Sequence, residues 1–318
     1  MKEGDNALAG AVTLIAGPTA SGKSGLATAL AERLDALVVN ADSMQVYRDL
    51  DILTARPPAT DLARAEHRLY GHLDAATPYS VAAWRAEVAA ILRAAAQDNR
   101  PVVLVGGTGL YFKALTQGLS RIPPIPDAIR ARWRTQADAA PAGALHAALA
   151  ARDPVMAARL APGDTQRLVR ALEVIDGTGR SLADWQGTRD APLVPADVQR
   201  LVLAPPRPWL HARIASRFSA MVAAGAVEEA RALLARDLDP TLPAMKAIGV
   251  RELGALPDDR AGLEAACARA TTDTRRYAKR QETFFRGQLP DWPRIDPSAM
   301  DVAELVDTLS DTMRKTTC

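Results

Sequence analysis

The sequence has few cysteines, few aromatic residues and almost no net charge. Its 318 residues include only Cys267 and Cys318, which form no CxxC or Cys/His pattern. Neither a disulfide framework nor a zinc site is therefore expected, and the composition suits a reducing cytoplasm. Aromatic residues make up 4% of the chain and alanine is abundant, so we expect helix-rich packing around a small sheet. The formal net charge of +2 does not by itself indicate a nucleic-acid partner.

Long apolar runs are also absent. No stretch approaches the ~20 apolar residues that a membrane-spanning helix needs. The N-terminal apolar run has no basic leader and continues directly into a glycine-rich loop. We therefore expect a buried strand there rather than a signal peptide, and a cytoplasmic protein with no membrane partner. The basic residues comprise 33 arginines and 6 lysines. Arginine favours phosphate recognition, but a GC-rich genome produces the same bias, and we favour that interpretation.

What the sequence does contain is a complete phosphate-binding loop. A strand-like segment, "AVTLIA", precedes the loop, and a helical pattern with Leu26, Leu30 and Leu34 follows it. In this context backbone N–H groups converge on an anion, Lys23 adds a positive charge, and the Ser24 hydroxyl is positioned to hold Mg²⁺. The residues that match G-x-x-x-x-G-K-[ST] are Gly17, Pro18, Thr19, Ala20, Ser21, Gly22, Lys23 and Ser24.

Two further strands end in polar or glycine-rich segments. Leu37–Val39 leads to Asp42, at the edge of a parallel sheet where ligands bind. From its position alone, Asp42 could serve as a Mg²⁺ ligand or as a general base. Val102–Val105 leads to a Gly-Gly-Thr-Gly loop that contains Thr108 instead of the acidic residue typical of an ATPase. This loop favours group transfer over hydrolysis.

A fourth strand, "QRLVLAPPR", precedes a helix with Arg213 and Arg217 four residues apart. They form either a solvated basic face or a clamp for the same anion. Four βα units predict an α/β fold, a P-loop NTPase-like parallel sheet flanked by helices. The proline-rich entry at 121–126 begins an inserted, mostly helical domain. We place the catalytic core at 1–120 and 201–318 and the insertion at 121–200.

Seven motifs in order resemble the tRNA dimethylallyltransferase (tRNA isopentenyltransferase) family over nearly the whole chain. They are "GPTASGKS", "ADSMQVYRDLDILTARP", "GGTGLYFKAL", "DTQRLVRALEV", "LHARIASRF", "MKAIGVREL" and "RRYAKRQETFFR". The resemblance implies transfer of a dimethylallyl group from its diphosphate to N6 of the adenosine 3′-adjacent to the anticodon, in tRNAs that read codons starting with U. Leu53, Arg56 and Phe285 depart from the residues usual in the family.

The resemblance also implies roles for individual residues. Asp42 matches the general base, Thr108 lies near the departing oxygen, and Lys23, Arg217 and Mg²⁺ at Ser24 stabilise the leaving diphosphate. The insertion is implied to grip the anticodon stem-loop. The implied tRNA contacts are Asp42, Ser43, Met44, Gln45, Arg130, Gln166, Arg167, Leu168, Val169, Arg170, Lys246, Lys279 and Arg280.

Three other functions remain open from the residues. A small-molecule P-loop kinase would place ATP in the loop, an adenylate isopentenyltransferase would use a free nucleotide, and an RNA-binding nucleotide switch would not need Asp42. The long insertion and the "KRQETFFR" segment favour tRNA over free adenylate. We expect a monomer. We also expect Phe284 and Phe285 to lie in the core, with Lys279 and Arg280 facing RNA.

Overall fold

A six-stranded parallel sheet forms the centre of the fold. The computed structural model describes residues 12–255 and 260–317. The segment before residue 12, where no signal peptide is expected, and Cys318 lie outside the described residues. The strands lie in the order β3-β2-β4-β1-β5-β6. Their bounds are β1 Val12–Ala16, β2 Leu37–Asn40, β3 His67–Arg68, β4 Val102–Gly106, β5 Gln199–Leu203 and β6 Arg294–Ile295. The predicted parallel α/β sheet is confirmed.

The helices that accompany the sheet cover both of its faces. Their bounds are α1 Lys23–Leu34, α2 Ala59–Leu62, α3 Val81–Gln97, α4 Gly109–Gln117, α10 Arg207–Ala223, α11 Ala226–Leu234, α12 Val250–Gly254, α13 Arg260–Gln288 and α14 Val302–Thr317, with a 3₁₀ turn at Ala244–Lys246. Alternate strand residues point to opposite faces. Leu14 and Leu104 pack with α3, α4 and α13, whereas Ile15 and Val103 pack with α1 and α14. The C-terminal helix α14 therefore packs on one face of the sheet.

The chain divides into two compact units, 12–116 with 193–317 and 117–192 within the described residues. The second unit is helical, with α5 Asp127–Ala139, α6 Ala144–Ala150, α7 Pro154–Ala157, α8 Thr165–Thr178 and α9 Leu182–Gly187. It has its own core, which includes Trp133, Leu149 and Leu172. The Trp133 Nε1–H donates to Asp176 Oδ2 at 2.9 Å, so the polar edge of this buried ring is satisfied.

No helix in the described part of the chain is long and apolar enough to cross a membrane.

Candidate active site

The phosphate loop lies between β1 and α1, and α10 holds it from one side. Arg213 Nε donates to the Ala20 carbonyl at 3.0 Å, and Arg217 Nη2 donates to Thr19 Oγ1. The apolar face of the same helix is buried through Ile214 and Phe218. The two arginines predicted on one face therefore both contact the loop.

Burial lowers the proton affinity of the cations beside the loop. Desolvation lowers the pKa of Lys23 to about 8; Asp42 opposes this shift and Arg217 adds to it. Desolvation also lowers the pKa of Arg217 to about 10, again against the attraction of Asp42, with Arg213 lowering it further. Several cations thus surround a single carboxylate, an arrangement that a bound anion stabilises.

Asp42 is held in place by the end of β2. Its N–H donates to Asn40 Oδ1 at 2.8 Å, and Asn40 Nδ2 donates to the carbonyls of Asp42 and Leu69 at 2.9 and 3.0 Å. Met44 N–H donates to Asp42 Oδ1 at 3.0 Å. Trp84 Nε1–H donates to the Asn40 carbonyl at 2.8 Å, and Asn40 itself is fully buried. The carboxylate therefore has a defined orientation before any ligand binds.

Thr108 is attached to the segment that carries Asp42. Its Oγ1 accepts a hydrogen bond from Ser43 N–H at 2.9 Å, and its own N–H donates to the Ala41 carbonyl at 3.1 Å. Glycines make these approaches possible, because a Cβ on Gly106 would overlap the Ala41 carbonyl and one on Gly107 would lie 2.2 Å from Gln281 Nε2. The predicted base and the predicted leaving-group contact thus lie on adjoining backbone.

Gln281 of α13 links the two loops, although no role follows for it from the sequence alone. Its Oε1 accepts from Thr19 N–H at 2.9 Å, and its Nε2 donates to the Gly107 carbonyl at 2.9 Å. Only 5% of the residue is exposed. The available signal was its place in the "KRQ" motif. Since both amide atoms are used, Gln281 sets the spacing between the phosphate loop and the Thr108 loop.

A cavity of about 270 Å³ opens beside these groups. Asp42, Arg217, Lys246, Tyr277 and Arg280 all line it. The Arg280 guanidinium lies 5.6 Å from the centroid of the Tyr277 ring. Burial, reinforced by Asp42, raises the pKa of Tyr277, so its hydroxyl remains a hydrogen-bond donor. The cavity therefore combines an aromatic wall, a carboxylate and cations.

Comparisons with known proteins show which family the chain is similar to. A protein-family model described as IPP transferase matches residues 45–288. A tRNA dimethylallyltransferase of Nitrobacter hamburgensis is 54% identical over 93% of each chain. A second tRNA dimethylallyltransferase, from Chelativorans, is 53% identical over 89% of this chain and 98% of its own. The chain belongs to the IPP transferase family.

Two solved structures of IPP transferase relatives extend the likeness to the fold. The full-length tRNA isopentenylpyrophosphate transferase from Bacillus halodurans superposes with a TM-score of 0.68 at 30% identity, covering 97% of each chain. A eukaryotic dimethylallyltransferase acting on tRNA superposes with a TM-score of 0.78 at 25% identity. It covers 95% of this chain and 77% of its own.

The RNA-contact positions implied for an IPP transferase differ in exposure within the sheet-containing unit. Lys246, Lys279 and Arg280 are exposed, and Ser43 and Met44 are partly buried at the cavity. Gln45 instead uses its Nε2 to hold the carbonyls of Thr54 and Ala55, both at 2.9 Å. That amide nitrogen therefore fixes the backbone of Thr54, which lines the cavity.

On the insertion, the implied RNA-contact residues are mostly exposed. Arg130, Gln166, Arg167 and Arg170 lie at the surface, and Val169 is partly buried. Leu168 differs from its neighbours, because its side chain is fully buried in the core of this unit. Its side chain packs against the other helices and does not reach the surface.

The residues that depart from the family pattern have separate environments. Leu53 lines the cavity, whereas Arg56 pairs with Asp51 at 2.8 Å and lies away from its lining. Phe285 is buried and keeps the apolar packing expected there, while Phe284 is partly buried against the same core. Of these departures, Leu53 is the one at the cavity.

Proposed function

We propose that this chain transfers a dimethylallyl group from dimethylallyl diphosphate to N6 of the adenosine 3′-adjacent to the anticodon in tRNAs that read codons starting with U. The observation that carries the proposal is the cavity in which Thr19 of the phosphate loop, the Asp42 carboxylate and Arg217 meet. A diphosphate in the loop and a base beside Asp42 would have their reacting atoms in the same space. The relatives' name, tRNA dimethylallyltransferase, supports a tRNA acceptor and a dimethylallyl group.

The residues suit the proposed chemistry. The N6 nitrogen attacks the allylic carbon, the carbon–oxygen bond to diphosphate breaks, and the proton leaves N6 for the Asp42 carboxylate. Negative charge grows on the departing diphosphate, where Lys23 and Arg217 provide fixed positive charge. Thr108 Oγ1 accepts from Ser43 N–H, and its own O–H donates to Ser43 Oγ at 3.2 Å, so a bound diphosphate would replace Ser43 Oγ as the acceptor. The Thr108 hydroxyl is the proposed contact to the departing oxygen.

Mg²⁺ is the divalent cation that we propose for the diphosphate. No group of three or more His, Cys, Asp and Glu side chains within residues 12–255 and 260–317 could hold a metal ion. An ion in this cleft would take ligands from diphosphate oxygens and water, as Mg²⁺ commonly does. Ser24, partly buried beside Lys23, is the chain's own proposed ligand. When bound, the ion would neutralise part of the leaving group's charge.

The helical insertion is the proposed grip on the anticodon stem-loop. Its arginines at 130, 167 and 170 are exposed and suited to phosphate contacts. The target adenine has to leave its loop stack to reach Asp42, and the ring of Tyr277 offers it a stacking surface.

The proposal is tested by incubating the protein with Mg²⁺, radiolabelled dimethylallyl diphosphate and unmodified tRNA that reads codons starting with U. We expect labelled tRNA, and no label when guanine replaces the adenine beside the anticodon. Asp42→Ala should abolish the transfer, while tRNA binding measured in parallel shows that the variant still recognises its substrate.

Other outcomes would contradict the proposal. ATP turnover without labelled RNA would assign the loop to a kinase. Label in free adenylate but not in tRNA would assign the chain to the nucleotide-dependent reaction. Full activity of Asp42→Ala would remove the carboxylate from the mechanism.

A further inference from the structure

One wall of the cavity beside Asp42 consists of side chains without polar groups. These side chains belong to a single hydrophobic cluster that continues from the cavity into the core. They are Leu53, Phe218, Met221 and Ile248. We call them the apolar wall. Phe218 and Met221 are buried, so what remains accessible of this wall is apolar surface at the cavity.

The apolar wall begins next to the phosphate loop. Arg217 donates to Thr19 Oγ1, and Phe218 and Met221 lie one and four residues further along α10. The carbon chain of the proposed donor is bonded directly to its diphosphate, so a diphosphate in the loop directs this chain into the cavity. Transfer of an apolar chain from water to an apolar surface is favourable. The wall is therefore suited to the donor's hydrocarbon.

Leu53 lies on a turn whose backbone the protein holds at several points. The Glu229 carboxylate of α11 accepts from the N–H groups of Asp51, Ile52 and Leu53 at 2.7, 2.8 and 2.8 Å. Gln45 Nε2 donates to the next two carbonyls of the turn, both at 2.9 Å. Because the backbone is hydrogen-bonded on both sides of Leu53, its side chain enters the cavity from a fixed position.

The Leu53 side chain also rests against Gly249. A Cβ at position 249 would lie 2.6 Å from Leu53 Cδ2, so the missing side chain makes room for the leucine. Gly249 has a φ of +101°, a conformation that favours glycine over other residues. Leu53 therefore has backbone behind it and the cavity in front of it. A ligand that needed its space could not displace it without moving that backbone.

We propose that Leu53 limits the donor's carbon chain to five carbons. The inference rests on the proposed function and names the residue that selects among donors. Geranyl diphosphate, with ten carbons, would react by the same step: the N6–carbon bond forms, the carbon–oxygen bond to diphosphate breaks, and the proton passes to Asp42. It differs in five further carbons, and Leu53 occupies space that they would need. Leu53 is thus a specificity-determining residue and takes no part in the bond changes.

The test measures kcat/KM for dimethylallyl and geranyl diphosphates with unmodified tRNA. Leu53→Ala should raise the ratio of geranyl to dimethylallyl transfer about tenfold to a hundredfold, the range for relief of overpacking in an apolar pocket. Its KM for dimethylallyl diphosphate should rise several-fold at a similar kcat, because contact with the wall is lost. Leu53→Met, of similar volume, should keep the original ratio. Leu263→Ala, in the same hydrophobic cluster but outside the cavity lining, is the matched control.

Glu229→Gln tests the turn without changing the cavity lining. Glutamine replaces one of the two acceptor oxygens by an NH₂ group, so at least one backbone N–H of the turn loses its partner. A less firmly held Leu53 should raise the same ratio, by a smaller factor than Leu53→Ala does. Glu228→Gln, at the exposed neighbouring position, should leave it unaltered. An unchanged ratio in Glu229→Gln would contradict the fixed position on which the proposal depends.

The remaining outcomes separate this inference from the proposed function. Equal losses for both donors in Leu53→Ala, or comparable kcat/KM for both donors in the unaltered protein, would overturn the role of Leu53. If thermal melting shows that Leu53→Ala does not fold, Leu53→Val, which is one carbon smaller, should still raise the ratio by a smaller factor. Dimethylallyl transfer with an unchanged ratio in every variant would defeat the inference alone. Absence of dimethylallyl transfer by the unaltered protein would instead defeat the proposed function.

Discussion

Cationic side chains occur both in the cleft around Asp42 and on the helical insertion, but their surroundings differ. In the cleft, Lys23 and Arg217 are partly buried, and desolvation lowers the pKa of each. On the insertion, Arg167 and Arg170 are exposed and lie 3.4 Å from Asp164 and Glu173 respectively, each three residues away in sequence. One region holds more positive charge than its single carboxylate, Asp42, balances, and the other pairs each of these arginines with a nearby carboxylate.

This difference predicts different roles for the cations of the cleft and those of the insertion. Charge that is desolvated and rigidly held can stabilise a developing anion without reorganisation, which lowers a reaction barrier. Exposed arginines in surface ion pairs gain little from those pairs and can exchange them for RNA phosphates at small cost. We therefore expect substitutions in the cleft to change the rate and substitutions on the insertion to change the affinity for RNA.

The largest effect should come from Asp42→Asn. The asparagine can still accept from Met44 N–H, so the local backbone is kept while the proton acceptor is lost. We expect kcat to fall about a thousandfold, within the range for loss of a general base. Dimethylallyl diphosphate should bind as tightly as before or more tightly, since a negative charge near the diphosphate is removed.

Single-turnover rates and calorimetric donor titrations measure the two quantities separately. Ser219→Ala, at an exposed position on α10, is the control for substitution outside the cleft. If Asp42→Asn loses donor binding together with the rate, Asp42 helps to bind the donor and its assignment as a separate base is wrong.

The next effect should come from Gln281→Leu, which removes both hydrogen bonds between α13 and the two loops. Thr19 N–H and the Gly107 carbonyl would lose their partners, which costs about 1–3 kcal/mol per buried group. Misplacement of the donor relative to Thr108 should lower kcat about tenfold to a hundredfold. Thr283→Ala, an exposed change on the same helix, should leave kcat unaltered.

Steady-state kinetics with saturating substrates, together with thermal melting, test this positioning role. A lower melting temperature with an unchanged kcat would show that Gln281 stabilises the fold without setting the geometry of the reaction.

A smaller effect concerns pH. The pKa of Lys23 is lowered to about 8, so its positive charge is lost as the pH rises through that value. We expect kcat/KM for dimethylallyl diphosphate to fall about fivefold between pH 8 and pH 9, because free enzyme with neutral Lys23 binds the diphosphate poorly. Bound diphosphate restores the proton, so kcat at saturating donor should decline only at higher pH.

Lys23→Arg sharpens this test, because arginine remains charged throughout the range. Its kcat/KM should lose the alkaline decline near pH 8 even if its overall activity is lower. The same decline in Lys23→Arg would mean that another group titrates.

The two regions also differ in how well their residues could be predicted from the sequence. The cleft was largely predictable, because the loop consensus is contiguous and the carboxyl ends of parallel strands meet at one sheet edge. Gln281 received no role because it lies 262 residues from Thr19 and 174 from Gly107, and only the fold brings them together. Strands β3 and β6 were not predicted, since each has two residues and no apolar run.

On the insertion, motif matching assigned a run of neighbouring residues without regard to the helix face. Leu168 and Leu172 are four residues apart on α8 and both are fully buried, so a 3.6-residue period assigns them to the core. Arg167 and Arg170 lie on the exposed side of the same helix. The motif points to helix α8, and its periodicity separates the buried residues from the exposed ones that we propose to contact RNA.

The smallest expected effect concerns those arginines. Replacing Arg167 and Arg170 together with glutamine should raise the KM for tRNA several-fold and leave kcat unchanged, because neither residue belongs to the cleft. The slope of log Kd against log salt should fall by about 1 for each RNA phosphate that the variant no longer neutralises. Arg159→Gln, at an exposed arginine of the same unit, is the control and should change neither value. A lower kcat with an unchanged KM would contradict the assignment of RNA affinity to the insertion, because it would show that these arginines affect the rate of the reaction.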